Sequence, residues 1–269
     1  MLANERYSII LELLSSCRAV TISELEQVLK TSSETIRRDL IYLEQQKSLQ
    51  RVHGGAVSIG HEKPFQSLLH RKNENVELKR ELVRTAACLV NDGDTIIVDS
   101  GSTANEFILT LCSGFRALSV ITHSMTVFEA LHNAPGIRII LIGGEYLKSE
   151  ECFFGAIALE CLHQLHATTS FIFPSAISLK YGVADYSSEL IPIQKKYLEI
   201  SNHTVILADS SKFEKTALMK ICSTDNSHIY VTDSMLDDNI YKLYRENGIR
   251  VYRNKEEIHN ESKSIANIG

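Results

Sequence analysis

The chain has 269 residues, a net charge of −5 at neutral pH, 44% apolar residues and 23% charged ones. That is the balance of a globular protein with a sizeable core; it excludes a disordered chain and a protein that coats nucleic acid through a bulk positive field. No apolar run reaches the ~20 residues needed to cross a bilayer, and Met1–Arg6 lacks a basic segment leading into an apolar one, so neither a membrane span nor a signal peptide is expected.

The six cysteines are scattered without a C-x-x-C pair, and the ten histidines do not fall at metal-ligand spacings. The expectation is reduced thiols in a cytoplasmic chain, with no metal and no cofactor. Residues 1–60 carry seven Lys/Arg and seven Asp/Glu, and the remainder 21 and 26. Any nucleic-acid contact must therefore come from a local basic cluster.

In chain order, residues 4–16 place Ile9, Ile10, Leu13 and Leu14 on a helical stripe. Thr21-Ile22-Ser23-Glu24 reads as a capping box that opens a second helix, with Leu25, Val28 and Leu29 inward. Thr31 or Ser32 caps a third helix that runs to about Gln46, with Ile36, Leu40 and Leu43 on its apolar stripe. Two short runs then flank Gly54-Gly55, which reads as a two-residue hairpin turn because glycine accepts positive φ. Three helices and a hairpin in 1–60 predict a winged helix-turn-helix domain. Residues 61–75, with Pro64 and little periodicity, predict a linker.

From residue 76 to 269 helices alternate with apolar runs that end in small or polar residues: 95–103, 118–124, 138–144, 170–176, 204–212 and 227–233. That rhythm predicts an α/β domain with a parallel sheet buried on both faces.

On the third helix, at 100° per residue, Arg37 and Arg38 stand off the packed face beside an N-terminus rich in hydroxyls (Ser32, Ser33, Thr35). Such a helix end favours phosphate, and either arginine could present its fork to a guanine in a major groove. Arg51 and His53 on the hairpin could reach an adjacent backbone. A plain solvated face would also explain Glu34 and Arg38 as an i,i+4 pair worth ~0.2–0.5 kcal/mol. The preceding helices and following hairpin favour DNA. Asp39 borders the packed face and reads as a structural partner.

Arg6, Ile10 and Leu14 at four-residue spacing, then SSETIRRDL (32–40) and Arg51-Val52-His53-Gly54-Gly55-Ala56, together resemble the DeoR family of bacterial transcriptional regulators, and the resemblance continues through the second part. It implies operator DNA as partner of the first domain. It implies a second domain that senses a phosphorylated sugar, on a fold similar to sugar-phosphate isomerases. The residues fit independently. Ser100, Gly101, Ser102 and Thr103 end a strand and open a helix, a phosphate cradle at the carboxyl end of a parallel strand. His123, Ser124, Gly143 and Gly144 end the next two strands, and Lys212 ends another as a point charge. Glu189 could accept from sugar hydroxyls or simply start a helix over 188–201, which Lys195 and Lys196 decorate. The family commonly has Asn where His123 stands and a glycine-rich segment where this chain has 174–178; Glu150-Glu151 adds negative charge.

The leading expectation is a repressor, or less often an activator, of genes for uptake or breakdown of a sugar or related polyol, acting as a homo-oligomer, dimer or tetramer, because one such domain reads few base pairs. The alternative is a sugar-phosphate isomerase-like enzyme with an accessory DNA-binding domain, with Asp185 and Glu189 as candidate bases. A protein–protein adaptor has no positive feature.

Overall fold

Thr21 Oγ accepts from Glu24 N at 3.1 Å while Glu24 Oε2 accepts from Thr21 N at 2.8 Å. This reciprocal cap is the local reason that a helix starts at Ile22. A computed structural model describes residues 3–17, 19–46, 48–52, 54–57, 68–112 and 114–266. The chain divides into two compact units, 1–71 and 72–269.

The first unit holds α1 (Ala3–Cys17), β1 (Ala19–Thr21), α2 (Ile22–Leu29), α3 (Ser33–Gln45), β2 (Gln50–Val52) and β3 (Gly55–Val57). The strands form an antiparallel sheet in the order β1-β3-β2. Its core is Ile10, Leu14, Leu25, Leu29, Ile36, Leu40, Leu43 and Leu49. Two expectations are corrected. Val28 is half exposed, not inward. Gly55 is not a turn residue: it lies within β3, opposite Val52 on one side and Thr21 on the other. A Cβ there would sit 2.0 Å from the Val20 carbonyl oxygen, so close backbone approach, not positive φ, demands that glycine. Gly54, at φ +87°, carries the turn conformation. Strand β1 was not anticipated; three residues are too few to show alternation.

Helix α4 (Leu68–Asn73) crosses the division between the units. There follow α5 (Val76–Ala87), β4 (Thr95–Val98), α6 (Ser102–Leu111), β5 (Leu118–Thr122), α7 (Met125–Leu131), β6 (Ile137–Leu141), β7 (Glu145–Leu147), β8 (Cys152–Phe154) and α8 (Gly155–His163). The chain continues through β9 (Ala167–Ile172), β10 (Ala176–Ser178), β11 (Gly182–Asp185), α9 (Ile191–Glu199), β12 (Ser201–Leu207), β13 (Met219–Cys222), β14 (Ile229–Val231), α10 (Asp238–Glu246), β15 (Arg250–Tyr252) and α11 (Lys255–Ala266).

Seven strands form a parallel sheet in the order β15-β14-β12-β9-β4-β5-β6. Ile96, Ile97 and Val98 are fully buried, with Ile96 and Val98 in one core and Ile97 in another. Burial on both faces is why such strands read as unbroken apolar runs. From β4 the chain winds outward through β5 and β6, then returns to β9 on the other side of β4 and winds out through β12, β14 and β15. The order reverses between β4 and β9, the place where open α/β sheets leave a crevice at the carboxyl ends of their strands.

The six anticipated runs supply six of these strands. The seventh, β15, was missed, as were the antiparallel sheet β10-β11-β13 and the hairpin β7-β8. No helix among the described residues is long and apolar enough to cross a membrane.

Candidate functional site

In the first unit, Ser32 caps α3: its Oγ accepts from Thr35 N at 3.4 Å and lies 3.1 Å from Thr35 Oγ. The buried Ile36, Leu40 and Leu43 leave the opposite side of α3 to Glu34, Arg37, Arg38, Ile41, Tyr42 and Gln45, all exposed. Arg38 Nε is 3.6 Å from Glu34 Oε1, with both side chains mostly in solvent, so the pair constrains the arginine little.

Asp39 is buried and receives a two-pronged contact from Arg6, Nε to Oδ2 at 2.6 Å and Nη2 to Oδ1 at 2.9 Å. Hydrogen bonding to Asp39 raises the Arg6 pKa above its ordinary value. The bond ties α3 to α1 and sets the direction in which Arg37 and Arg38 project. Arg51 is partly engaged: its backbone N donates to Glu44 Oε1 at 2.8 Å, and its Nε lies 3.7 Å from Glu44 Oε2. His53 lies outside the described residues. Ile41 and Tyr42 escaped the sequence reading because apolar residues next to a stripe read as core. Here Ile41 is 39% and Tyr42 44% exposed, with Tyr42 stacked on Tyr7 at 4.8 Å between ring centroids.

In the second unit, the loops after β4, β5, β9 and β12 share the carboxyl edge of the sheet. Gly101, at φ +120°, precedes α6, and Ser100, Ser102 and Thr103 are buried in the turn it allows. Thr103 Oγ is buried without a hydrogen-bond partner. Ser100 N donates to Asp99 Oδ1 at 2.8 Å. Asp99 is fully buried at the reversal of strand order, and its Oδ2 accepts from Gln194 Nε2 on α9 at 3.1 Å. The same nitrogen lies 3.3 Å from Asp185 Oδ2. Asp185 Oδ1 accepts from Ser175 Oγ at 2.8 Å and Tyr186 N at 2.7 Å.

His123 is fully buried, its Nε2 3.3 Å from Asp99 Oδ1. That is close enough for an ion pair but not aligned as a hydrogen bond, and neither ring nitrogen has a partner. Its ring lies 5.5 Å from that of Tyr197, whose hydroxyl is also buried and unpartnered. Burial pushes the Tyr197 pKa well up, with the Asp99 charge adding to it.

The remaining expected residues have local duties. Ser124 caps α7, accepting from Val127 N at 3.4 Å. A Cβ on Gly144 would meet the Phe154 carbonyl at 2.4 Å, so β8 demands that glycine; Gly143 is exposed. Lys212 Nζ donates to the Pro174 carbonyl at 2.8 Å, which joins the loops after β12 and β9. Two expectations about α9 are corrected. It spans 191–199, beginning at a proline-bearing first turn, so Glu189 precedes it and accepts from Ser187 and Ser188 hydroxyls at 3.1 and 2.9 Å. Lys196 does not decorate the surface; it is buried and reaches Glu199 at 2.7 Å. Gln194 was missed altogether, and Asp99 and Asp185 had no partner that spacing could identify. Nothing local marks an amide that joins residues 95 and nine positions away.

Comparison with known proteins follows this division. Residues 6–62 match the model of the DeoR-like helix-turn-helix domain, and residues 74–234 that of the DeoR C-terminal sensor domain. The HTH-type transcriptional regulator GolR of Listeria innocua is 30% identical over 92% of this chain and 97% of its own. The regulator YulB of Bacillus subtilis is 32% identical over 93% and 96%. The L-fucose operon activator of Haemophilus influenzae is 30% identical over 91% and 98%. Among solved structures, the ribose 5-phosphate isomerase of Methanocaldococcus jannaschii aligns with a TM-score of 0.39 at 20% identity, over 52% of this chain and 55% of that one. On the matches to both its parts, the chain belongs to the DeoR family of DNA-binding transcriptional regulators.

Proposed function

We propose that this regulator is a repressor of genes for uptake or breakdown of a carbohydrate, and that a phosphorylated sugar in the second unit controls its hold on operator DNA. Residues 1–60 serve as the DNA-binding domain, 61–75 as the linker and 76–269 as the sensor. The observation that carries the reading is the exposed pair Arg37–Arg38 on a helix whose opposite face is locked by the Arg6–Asp39 bond. Ser32, Ser33, Thr35 and Arg51 approach the backbone on either side. In the sensor, the turn Ser100–Thr103 takes the phosphate and Lys212 lies on the adjoining loop. Relatives named for the L-fucose operon and the lactose phosphotransferase system favour a carbohydrate signal. A full switch needs a ligand with about 10⁴-fold preference for one state.

The test is fluorescence anisotropy of the full chain on duplexes enriched from a random library, with and without a panel of sugar phosphates. Affinity should fall with salt at a log–log slope of about −0.9 per phosphate neutralised. One or more sugar phosphates should weaken binding. A flat salt dependence with no enriched sequence would refute the reading. The chain acts as a homo-oligomer in this scheme, since paired half-sites need paired readers. In this reading the chain is not an enzyme, in keeping with relatives that are named as transcriptional regulators, and incubation with pentose and hexose phosphates should give no turnover.

Ile41 adds a sequence-specific contact. It sits one turn beyond Arg37 on the exposed face of α3, where an aliphatic side chain meets a thymine methyl in the major groove. Replacing thymine by uracil, which removes only that methyl, should weaken binding about five- to tenfold at one position per half-site, a loss of roughly 1 kcal/mol. In Ile41→Ala the same replacement should have no effect. Equal sensitivity in both proteins would exclude this contact.

A further inference from the structure

Helix α2 ends on Lys30, whose backbone, at φ 48° and ψ 45°, lies in the left-handed region. A chain usually carries glycine or asparagine at such a place, because a Cβ crowds the neighbouring carbonyl in that conformation. Among the described residues, three others apart from glycine share it: Asn75, Glu151 and Glu214. Each makes side-chain bonds that a glycine could not supply. Asn75 Nδ2 donates to Asp209 Oδ1 and to Ser211 Oγ, both at 3.3 Å. Glu151 Oε2 meets Lys72 Nζ at 2.8 Å. Glu214 Oε1 accepts from the Tyr244 hydroxyl at 2.6 Å and from Leu179 N at 3.1 Å. Lys30 differs: it is exposed, and among the described residues its ammonium group has no partner. The conformation still costs folding free energy, and no side-chain contact within the described chain offsets it.

In the other three residues a side-chain bond explains the strained backbone, so the partner of Lys30 is to be sought outside the chain. Its position limits the choice. Residues 6–62 match a helix-turn-helix domain, and Lys30 stands in the turn between α2 and α3, just before Ser32, which caps the helix that bears Arg37 and Arg38. The anion that such a turn meets on a duplex is a backbone phosphate. An ammonium group is a compact point charge, suited to phosphate and not to the two-pronged reading of a base edge. We infer that Lys30 is a backbone-phosphate contact of the operator complex, retained although it destabilises the turn it occupies. The inference rests on the DNA-binding reading above. It adds a residue that positions the protein on the duplex without reading sequence.

Lys30→Gly in the full chain tests both halves of this. Glycine enters the left-handed region freely, so the melting midpoint followed by a probe confined to the first unit should rise by about 2 °C or more. Operator affinity, measured by fluorescence anisotropy, should nevertheless fall about three- to tenfold for each subunit bound at about 0.1 M salt, by the same factor on every duplex. The log–log salt slope should shrink by about 0.9 per subunit. Lys30→Arg keeps the charge and should stay within about twofold of the parent. Duplexes that carry one neutral methylphosphonate locate the contact: at one position per half-site the replacement should weaken the parent protein and leave Lys30→Gly unaffected. A Lys30→Gly protein with parental affinity and salt slope would overturn the phosphate contact and leave the placement of Arg37 and Arg38 intact. A loss that differs between sequences would mark a base contact and overturn it too. A Lys30→Gly protein no more stable than the parent would overturn the conflict between binding and folding. If the parent protein enriches no duplex, the operator reading falls, and this inference with it.

Discussion

Replacing Arg37 and Arg38 together by alanine should lower affinity for an enriched operator duplex by at least about 30-fold and as much as 10⁴-fold. The range follows from ~1–3 kcal/mol for each arginine that reaches a base edge or phosphate. The two side chains are exposed on α3 and lie outside the core of Ile36, Leu40 and Leu43. The double variant should therefore keep its thermal stability within measurement error, since surface changes away from caps and buried networks are usually near neutral. The single variants separate the roles. An arginine that holds a phosphate weakens all sequences alike and reduces the salt slope by about one, whereas one that reads a guanine also loses discrimination between sequences. Unchanged operator binding by the double variant would refute the placement of the DNA contact on this helix.

Asp39→Ala should destabilise the first unit by on the order of 3 kcal/mol, because it removes the buried carboxylate that takes a two-pronged contact from the largely enclosed Arg6 guanidinium. Chemical denaturation followed by a probe confined to that unit would show the loss. The companion Arg6→Met, Asp39→Leu double variant should recover much of the stability, since apolar replacement of a buried pair is often neutral. It should not recover operator affinity to the same extent, because the two-pronged contact also sets the rotation of α3 and thus where Arg37 and Arg38 point. A double variant that binds DNA like the parent would reduce the pair to a packing role.

How much of this could be read from residues alone differs by element. The capping box at Thr21–Glu24, the cap at Ser32 and the stripes Leu25–Leu29 and Ile36–Leu43 were legible because each depends on contacts within a few residues. Val28 misled because it stands only about 80° round the helix from the middle of the Leu25–Leu29 stripe, on the border between core and solvent, and eight residues define that border poorly. Six strands of the parallel sheet were legible because burial on both faces leaves unbroken apolar runs. The strands β7, β8, β10 and β11 have three or four residues each, and their pairing is set by partners elsewhere in the chain.

By itself the sequence determined the two-part organisation, the basic exposed face of α3 and the small-residue turns at the strand ends, since local propensity and periodicity carry that information. Only the tertiary structure decided which of those turns meet. It brought Gln194 from α9 onto Asp99 and Asp185, put His123 beside them and gave Ser124, Gly144 and Gly55 to local packing. The physical reason is that a buried polar group is defined by its surroundings: a carboxylate's need for a positive partner depends on what folding encloses with it, which no spacing along the chain records.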